Sequence, residues 1–326
     1  MKLRKDMRAL SLLLVIALVG AIFVPVVSAV EDLSQLKSTI TQSTSAPTPT
    51  TLNAGIDEDT WYREALLEYR YLLNSSYSEL DESDKLITLI DQVLSKKSIS
   101  YEDFYDVYQI VYPYINPDVQ DERWGSIHGD MAYDAGNYWG LSSSQKDILR
   151  NSATDPDHEF VDGPDWGPVN SFDHYRLIPI WNAPDVCEKL ALEAIDYINN
   201  NNDAEGYEKL SHSLHFMSDM GVPYHDLPTE LLRHADYEVY VQSNWDSDHN
   251  YESIMNNFGS YYYITDVQSS AYNLNAVTSG YKSYISDAMG SPGWGDDPTV
   301  VSYTENCIGY TTGYNRGLVK YVMDRT

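Results

Sequence analysis

The chain has 326 residues, 43% of them hydrophobic, and its 49 acidic side chains outnumber 21 basic ones to give a net charge of −28. That length and apolar content suffice for one large domain or two modest ones around a real core. The charge argues against a stable nucleic-acid partner, because such binders use Lys and Arg to neutralise phosphates. A bound metal cluster could supply positive charge locally, so acidity weakens a nuclease reading without removing it.

At the N-terminus, Lys2, Arg4, Lys5 and Arg8 precede an apolar run from Leu10 to Val27, and Val27-Ser28-Ala29 offers a small-residue cleavage site. This pattern predicts a secretory signal over residues 1–29 and an extracellular protein. The length of the run leaves an uncleaved membrane anchor as the alternative. Export would put Cys187 and Cys307 in an oxidising compartment, where they form either one disulfide or two buried free thiols. Residues 30–56 are rich in Ser, Thr and Pro and lack a periodic apolar face, which reads as a linker. Over 57–123 the pattern changes. Trp61, Ala65, Leu66, Tyr69 and Leu72, then Leu86, Leu89, Ile90 and Val93, recur at helical spacing, and Tyr101 to Tyr114 adds an aromatic third segment. A small helical region is expected there.

A larger domain is expected over 124–326. Ile127, Met131 and Tyr138 place His128 on its first helix. Residues 142–182 are dominated by Ser, Asp, Gly and Pro and read as a long loop of the kind that carries function. Helices resume at Asp185, with Val186, Leu190, Ala194 and Ile198 on the apolar face, and Asn199 to Asp203 interrupts before the next. After Glu238 a Tyr-rich, less regular stretch runs to Asp266. Helical patterns then cover Ser269 to Met289 and Val300 to Met323, split by Ser291-Pro-Gly-Trp-Gly. No run alternates long enough to predict a sheet, so the fold class is all-α.

The chemistry concentrates in His215 to Glu238. His215 and Asp219 are four apart, so on a helix both leave the same face. Gly221 and Pro223 end that helix, His225 follows the break, and Pro228 suits the first turn of a second helix bearing His234 and Glu238, again four apart. With 8 His and 49 acidic residues, chance alone gives roughly one His-x-x-x-Asp/Glu pair at this spacing. Three occur, at His158, His215 and His234, and the last two are close neighbours flanking a further His. That arrangement predicts a metal site. Imidazole nitrogen and carboxylate oxygen are the ligands zinc prefers.

The string His215-Phe-Met-Ser-Asp219-Met-Gly-Val-Pro-Tyr-His225, followed by His234-x-x-x-Glu238, resembles the core of the zinc-dependent phospholipase C family, which shares its fold with the fungal zinc-dependent single-strand nucleases. Trp124-Gly-Ser-Ile-His128, Asp157-His158-Glu159 and Ser171-Phe-Asp-His174 resemble that family's other ligand segments. The resemblance covers about residues 124–240, extends loosely to 326, and says nothing of 1–123. It implies a multi-helix bundle with a tri-zinc site. One Zn²⁺ would take Asp157, His174, His215 and Asp219, and a second His225, His234 and Glu238. A third would take His128 and the main chain of Trp124, with Asp219 bridging to the first. The acidic loop offers Asp155 and Asp157, and matching the family's triplet to Asp157-His158-Glu159 selects Asp157, which would also be the catalytic base that orients the attacking water.

The family's mature chain begins at the Trp, whose free amine binds zinc. The chain is expected to stay whole, with the third site two-metal-like, weaker or completed by another group; the alternative is that cleavage between Arg123 and Trp124 removes residues 30–123 as a pro-region and releases that amine. His212 reads as structural, and His158 and His249 as surface residues. His158 stands where the phospholipases carry an aromatic residue, which leaves headgroup preference open. The implied function is secreted, zinc-dependent hydrolysis of a phosphodiester, chiefly in phospholipids, with contact to a membrane surface. The alternatives are a single-strand nuclease and a noncatalytic zinc-binding surface protein.

Overall fold

A computed structural model of the chain describes residues 58–75, 82–115, 125–158, 174, 182–226 and 231–326, all within the unit Thr44–Thr326. The signal-like segment, the linker, the Arg123–Trp124 junction and most of 159–181 lie outside the described residues. Among the described residues every regular element is helical, as the absence of alternating patterns predicts. None of these helices is long and apolar enough to cross a membrane.

Helices α1 (Glu58–Ser75), α2 (Ser83–Leu94) and α3 (Tyr101–Ile115) share a core of their own, including Leu66, Tyr69, Leu73, Ile90, Phe104 and Val111. Of the positions expected from periodicity, Ala65, Leu66, Tyr69, Leu72, Leu86, Ile90 and Val93 are buried, and Leu89 is partly buried against the same core. Tyr62 stacks on Phe104 with ring centroids 5.0 Å apart.

The following helices build two further hydrophobic clusters, one including Leu190, Leu214 and Leu318 and the other Tyr237, Tyr251 and Ile308. They are α4 (Gly125–Tyr138), α5 (Ser143–Ser152), α6 (Asp155–His158), α7 (Ala183–Asn199), α8 (Asp203–Asp219) and α9 (Leu231–Ser243). After them come α10 (Tyr251–Asn257), α11 (Val267–Thr278), α12 (Lys282–Ala288) and α13 (Pro298–Met323), with 3-10 turns at Ser279–Tyr281 and Trp294–Asp296. Some of these helix starts carry a side-chain cap. The Asn182 side chain accepts from the Asp185 amide to cap α7, and Asp297 caps α13 with Pro298 in its first turn.

Part of the expected 142–182 loop is regular. Ser142 and Gln145 form a capping box that starts α5, and Leu149 buries its inner face. Composition hid this helix because its solvent side is Ser, Gln, Lys and Asp. The Tyr-rich stretch after Glu238 is also more ordered than expected, since α9 continues to Ser243 and α10 follows. Cys187 and Cys307 are buried free thiols, and the Cys187 thiol donates to the Ser213 carbonyl at 3.3 Å.

Helices α8 and α13 are buried on most of their circumference and form the centre of this domain. Helix α8 packs against α7, α5, α13 and α4. On α13, the Gly313 carbonyl accepts from the Tyr262 amide at 3.0 Å, and a Cβ at Gly317 would lie 2.0 Å from the Tyr262 carbonyl oxygen. Glycine is needed there for close backbone approach. Arg316, 3% exposed, pairs with Asp134 at 2.8 Å and donates to the carbonyls of Met255, Phe258 and Ser260, binding α13 to α4, to α10 and to the chain that follows α10.

Candidate metal centre

Five elements deliver side chains to one buried place beside the C-terminal end of α8. Helix α8 brings His215 and Asp219 one turn apart, then stops at Asp219. The connector that follows passes close to α13, where a Cβ at Gly221 would lie 1.8 Å from Thr311 Oγ1. It carries His225. Helix α9 contributes His234 and Glu238, α4 contributes His128, and α6 contributes Asp157. His174 joins them from between the undescribed segments. All eight side chains are buried.

The ligand atoms form three groups, each with its atoms within 4.8 Å of one another: His128, His215 and Asp219; Asp157, His174 and His215; and His225, His234 and Glu238. Asp219 connects them. Its Oδ2 lies 2.6 Å from His174 Nδ1 and 3.3 Å from His215 Nε2, and its Oδ1 lies 3.6 Å from both His128 Nε2 and His225 Nδ1. His215 Nε2 is 3.1 Å from His174 Nδ1 and 3.8 Å from Asp157 Oδ1. Glu238 Oε1 lies 3.1 Å from His225 Nε2 and 2.9 Å from His234 Nε2.

Two imidazoles are oriented by main-chain carbonyls. His215 Nδ1 is 2.8 Å from the Ala153 oxygen, and His225 Nδ1 is 2.8 Å from the His174 oxygen. A carbonyl only accepts, so Nδ1 is the donor in each ring and Nε2 is the nitrogen offered to the cluster. Fixing the outer ring nitrogen in this way is the usual outer-shell arrangement of a metal-bound imidazole.

Three carboxylates and five imidazoles shut away from water need compensating positive charge. Burial opposes charge on His215, but Asp219 and Asp157 outweigh it and raise its pKa to about 9. Burial likewise opposes charge on His225, which Asp219 and Glu238 nevertheless push upward. Burial would raise Asp219 and Glu238, yet the surrounding histidines hold both below the usual carboxylate range. Burial, reinforced by His215, drives His128 down to about 4. Without an ion, a proton on His215 supplies part of the missing positive charge.

A divalent cation would do the same with better geometry. Imidazole nitrogen and carboxylate oxygen are established donors for such ions, and the edge of a tetrahedron of metal bonds about 2.1 Å long is about 3.4 Å. Separations of 3.1 to 3.6 Å recur between the ligand atoms of the cluster. Glu238 Oε2 is buried with no hydrogen-bond partner among the described residues, a costly condition that a cation would relieve. The residues present fit divalent ions.

Every expected ligand within the described residues therefore reaches this centre, and Trp124 lies outside them. His212 is buried with Nε2 3.3 Å from Asp155 Oδ2, one turn before His215, in keeping with a structural role. His249 lies away from the cluster, 3.5 Å from Asp296, while the His158 side chain is outside what is described. The Ala153 and His174 carbonyls had no signal in the sequence, because any residue type supplies a carbonyl. No protein-family model matches this chain, and no curated protein sequence matches it.

Proposed function

We propose that the cluster holds up to three Zn²⁺ ions and that the protein is a secreted phosphodiester hydrolase of the phospholipase C kind. The observation that carries this reading is the position of Asp219 between the three ligand groups, which would put the ions next to one another. Zinc ions so placed supply a water of lowered pKa and positive charge against the phosphate oxygens. Trp124 would complete the third site through its main chain.

The chain's own part is to orient and to accept a proton. Asp157 holds the attacking water and takes its proton on a carboxylate oxygen. Asp219 keeps His128, His174, His215 and His225 in register. The attack would form a bond from water oxygen to phosphorus and break the bond to the glycerol oxygen, which takes up a proton from solvent as it leaves. Diacylglycerol and a phosphorylated headgroup result. A net charge of −28 favours a zwitterionic lipid over the polyanionic backbone of nucleic acid.

Zinc-loaded protein incubated with phosphatidylcholine vesicles and with denatured DNA separates the readings. Release of diacylglycerol and phosphocholine supports the lipase. Cleavage of DNA alone would replace it with a nuclease, and turnover of neither would leave a noncatalytic zinc-binding protein.

A further inference from the structure

We infer that a polar stripe on α11 and α12, formed by Asn275, Thr278, Lys282 and Ser286, is the positioning device for the connector that carries His225. The four residues are spaced by three, four and four, which keeps them on one side of the continuous path from α11 through the 3-10 turn into α12. All four are buried, where apolar residues would pack more cheaply. Each has a partner in Met220–Asp226. Asn275 Nδ2 donates to the Met220 and Val222 carbonyls, both at 3.4 Å, and Thr278 Oγ1 donates to the Met220 carbonyl at 2.9 Å. Lys282 Nζ donates to Asp226 Oδ1 at 2.9 Å, and Ser286 Oγ lies 2.9 Å from the Tyr224 hydroxyl.

The connector needs this support because it has left α8 and has no regular ladder of its own. The α8 end leaves carbonyls without helical partners, and Met220 is one that the stripe satisfies. Lys282 has the most direct effect, because Asp226 adjoins His225 and the ammonium lies 5.6 Å from the Tyr224 ring centre on the other side of that histidine. A shift of the connector would move His225 Nε2 relative to Glu238 and, through Nδ1, disturb the main chain at His174. The stripe thus acts on the His225, His234 and Glu238 group before the others. This inference rests on the reading of that group as an ion site.

The test is a titration of metal-free protein with Zn²⁺ against a chromophoric chelator, which resolves the affinity of each equivalent. Lys282→Met should weaken one equivalent by about 10- to 100-fold, the usual effect of losing an outer-shell partner, and leave the others nearly unchanged. Lys282→Arg should restore most of the loss. Asp226→Asn removes the same ion pair from the connector's side and should weaken the same equivalent, which keeps the test alive if Lys282→Met fails to fold. In His234→Ala, which abolishes that equivalent, adding Lys282→Met should change nothing further. Wild-type protein that takes up no zinc would remove the ion-site reading and this inference together. Normal uptake with equal affinities in Lys282→Met and Asp226→Asn would overturn the inference alone. So would a uniform loss at every equivalent accompanied by a lower melting temperature of the metal-free protein, the mark of general destabilisation.

Discussion

Asp219 lies 2.6 to 3.6 Å from four imidazoles, those of His128, His174, His215 and His225. Asp219→Asn keeps the shape and removes the charge, so it should cost more than one bound ion. His234→Ala should cost one. Metal analysis of the two purified variants checks the difference, and equal losses would contradict the bridging role. The pair His215 and Asp219 was legible from its helical spacing, as was the pair His234 and Glu238. Their meeting with His128, Asp157 and His174 was not, since it depends on tertiary packing and was expected only through the family resemblance.

Protonation gives a second prediction at the same scale. Below pH 6.5 the unfolded chain takes up protons that folded His128 and His212, both held down to about 4 chiefly by burial, refuse, so stability falls as pH falls from 6.5 towards 4. Asp219 and Glu238, held down in the fold, add stability that is present above their ordinary values of 3.8 and 4.5 and is lost as pH drops through their lowered ones. Folded His215 keeps its proton up to about 9, so its contribution is full below 6.5 and is lost as pH rises through 9. Chelator-treated protein should therefore melt highest near pH 6.5. Zinc-loaded protein should lose less on the alkaline side, because the ion replaces the proton on His215. Melting curves with and without chelator between pH 4 and 10 measure both effects.

At the level of elements, α13 and the segment after α10 fit through glycine. The Gly317 Cβ position is 2.0 Å from a backbone oxygen, which cannot swing aside as a side-chain end could. Gly317→Ala should destabilise the domain by about 1–3 kcal/mol, the range for forced overpacking, as read by urea unfolding. An unchanged midpoint would show that the two segments separate freely. Helices with long apolar repeats, α7 and α13 among them, were readable from periodicity. Helix α5 was not, because so much of it is polar, although the capping box of Ser142 and Gln145 was a sequence signal for its start. The segment Ser269 to Met289 read as one helix, whereas a 3-10 turn at Ser279–Tyr281 divides it. Apolar spacing carries through such a turn, so the pattern hides it.

At the scale of the whole molecule, buried charge and stability meet in one cluster. Ions that bind the folded chain and not the unfolded one raise stability by mass action, so chelation should lower the melting temperature and added Zn²⁺ should restore it. Phosphatidylcholine turnover should disappear and return with the same treatment. The most direct measurement is a native mass spectrum of the purified protein before and after exposure to chelator. Close to three zinc ions per chain are expected where the Trp124 amine is free and two where it is not, lost together with the chelator. A protein that carries no metal, and acquires none when zinc is supplied, would contradict that expectation.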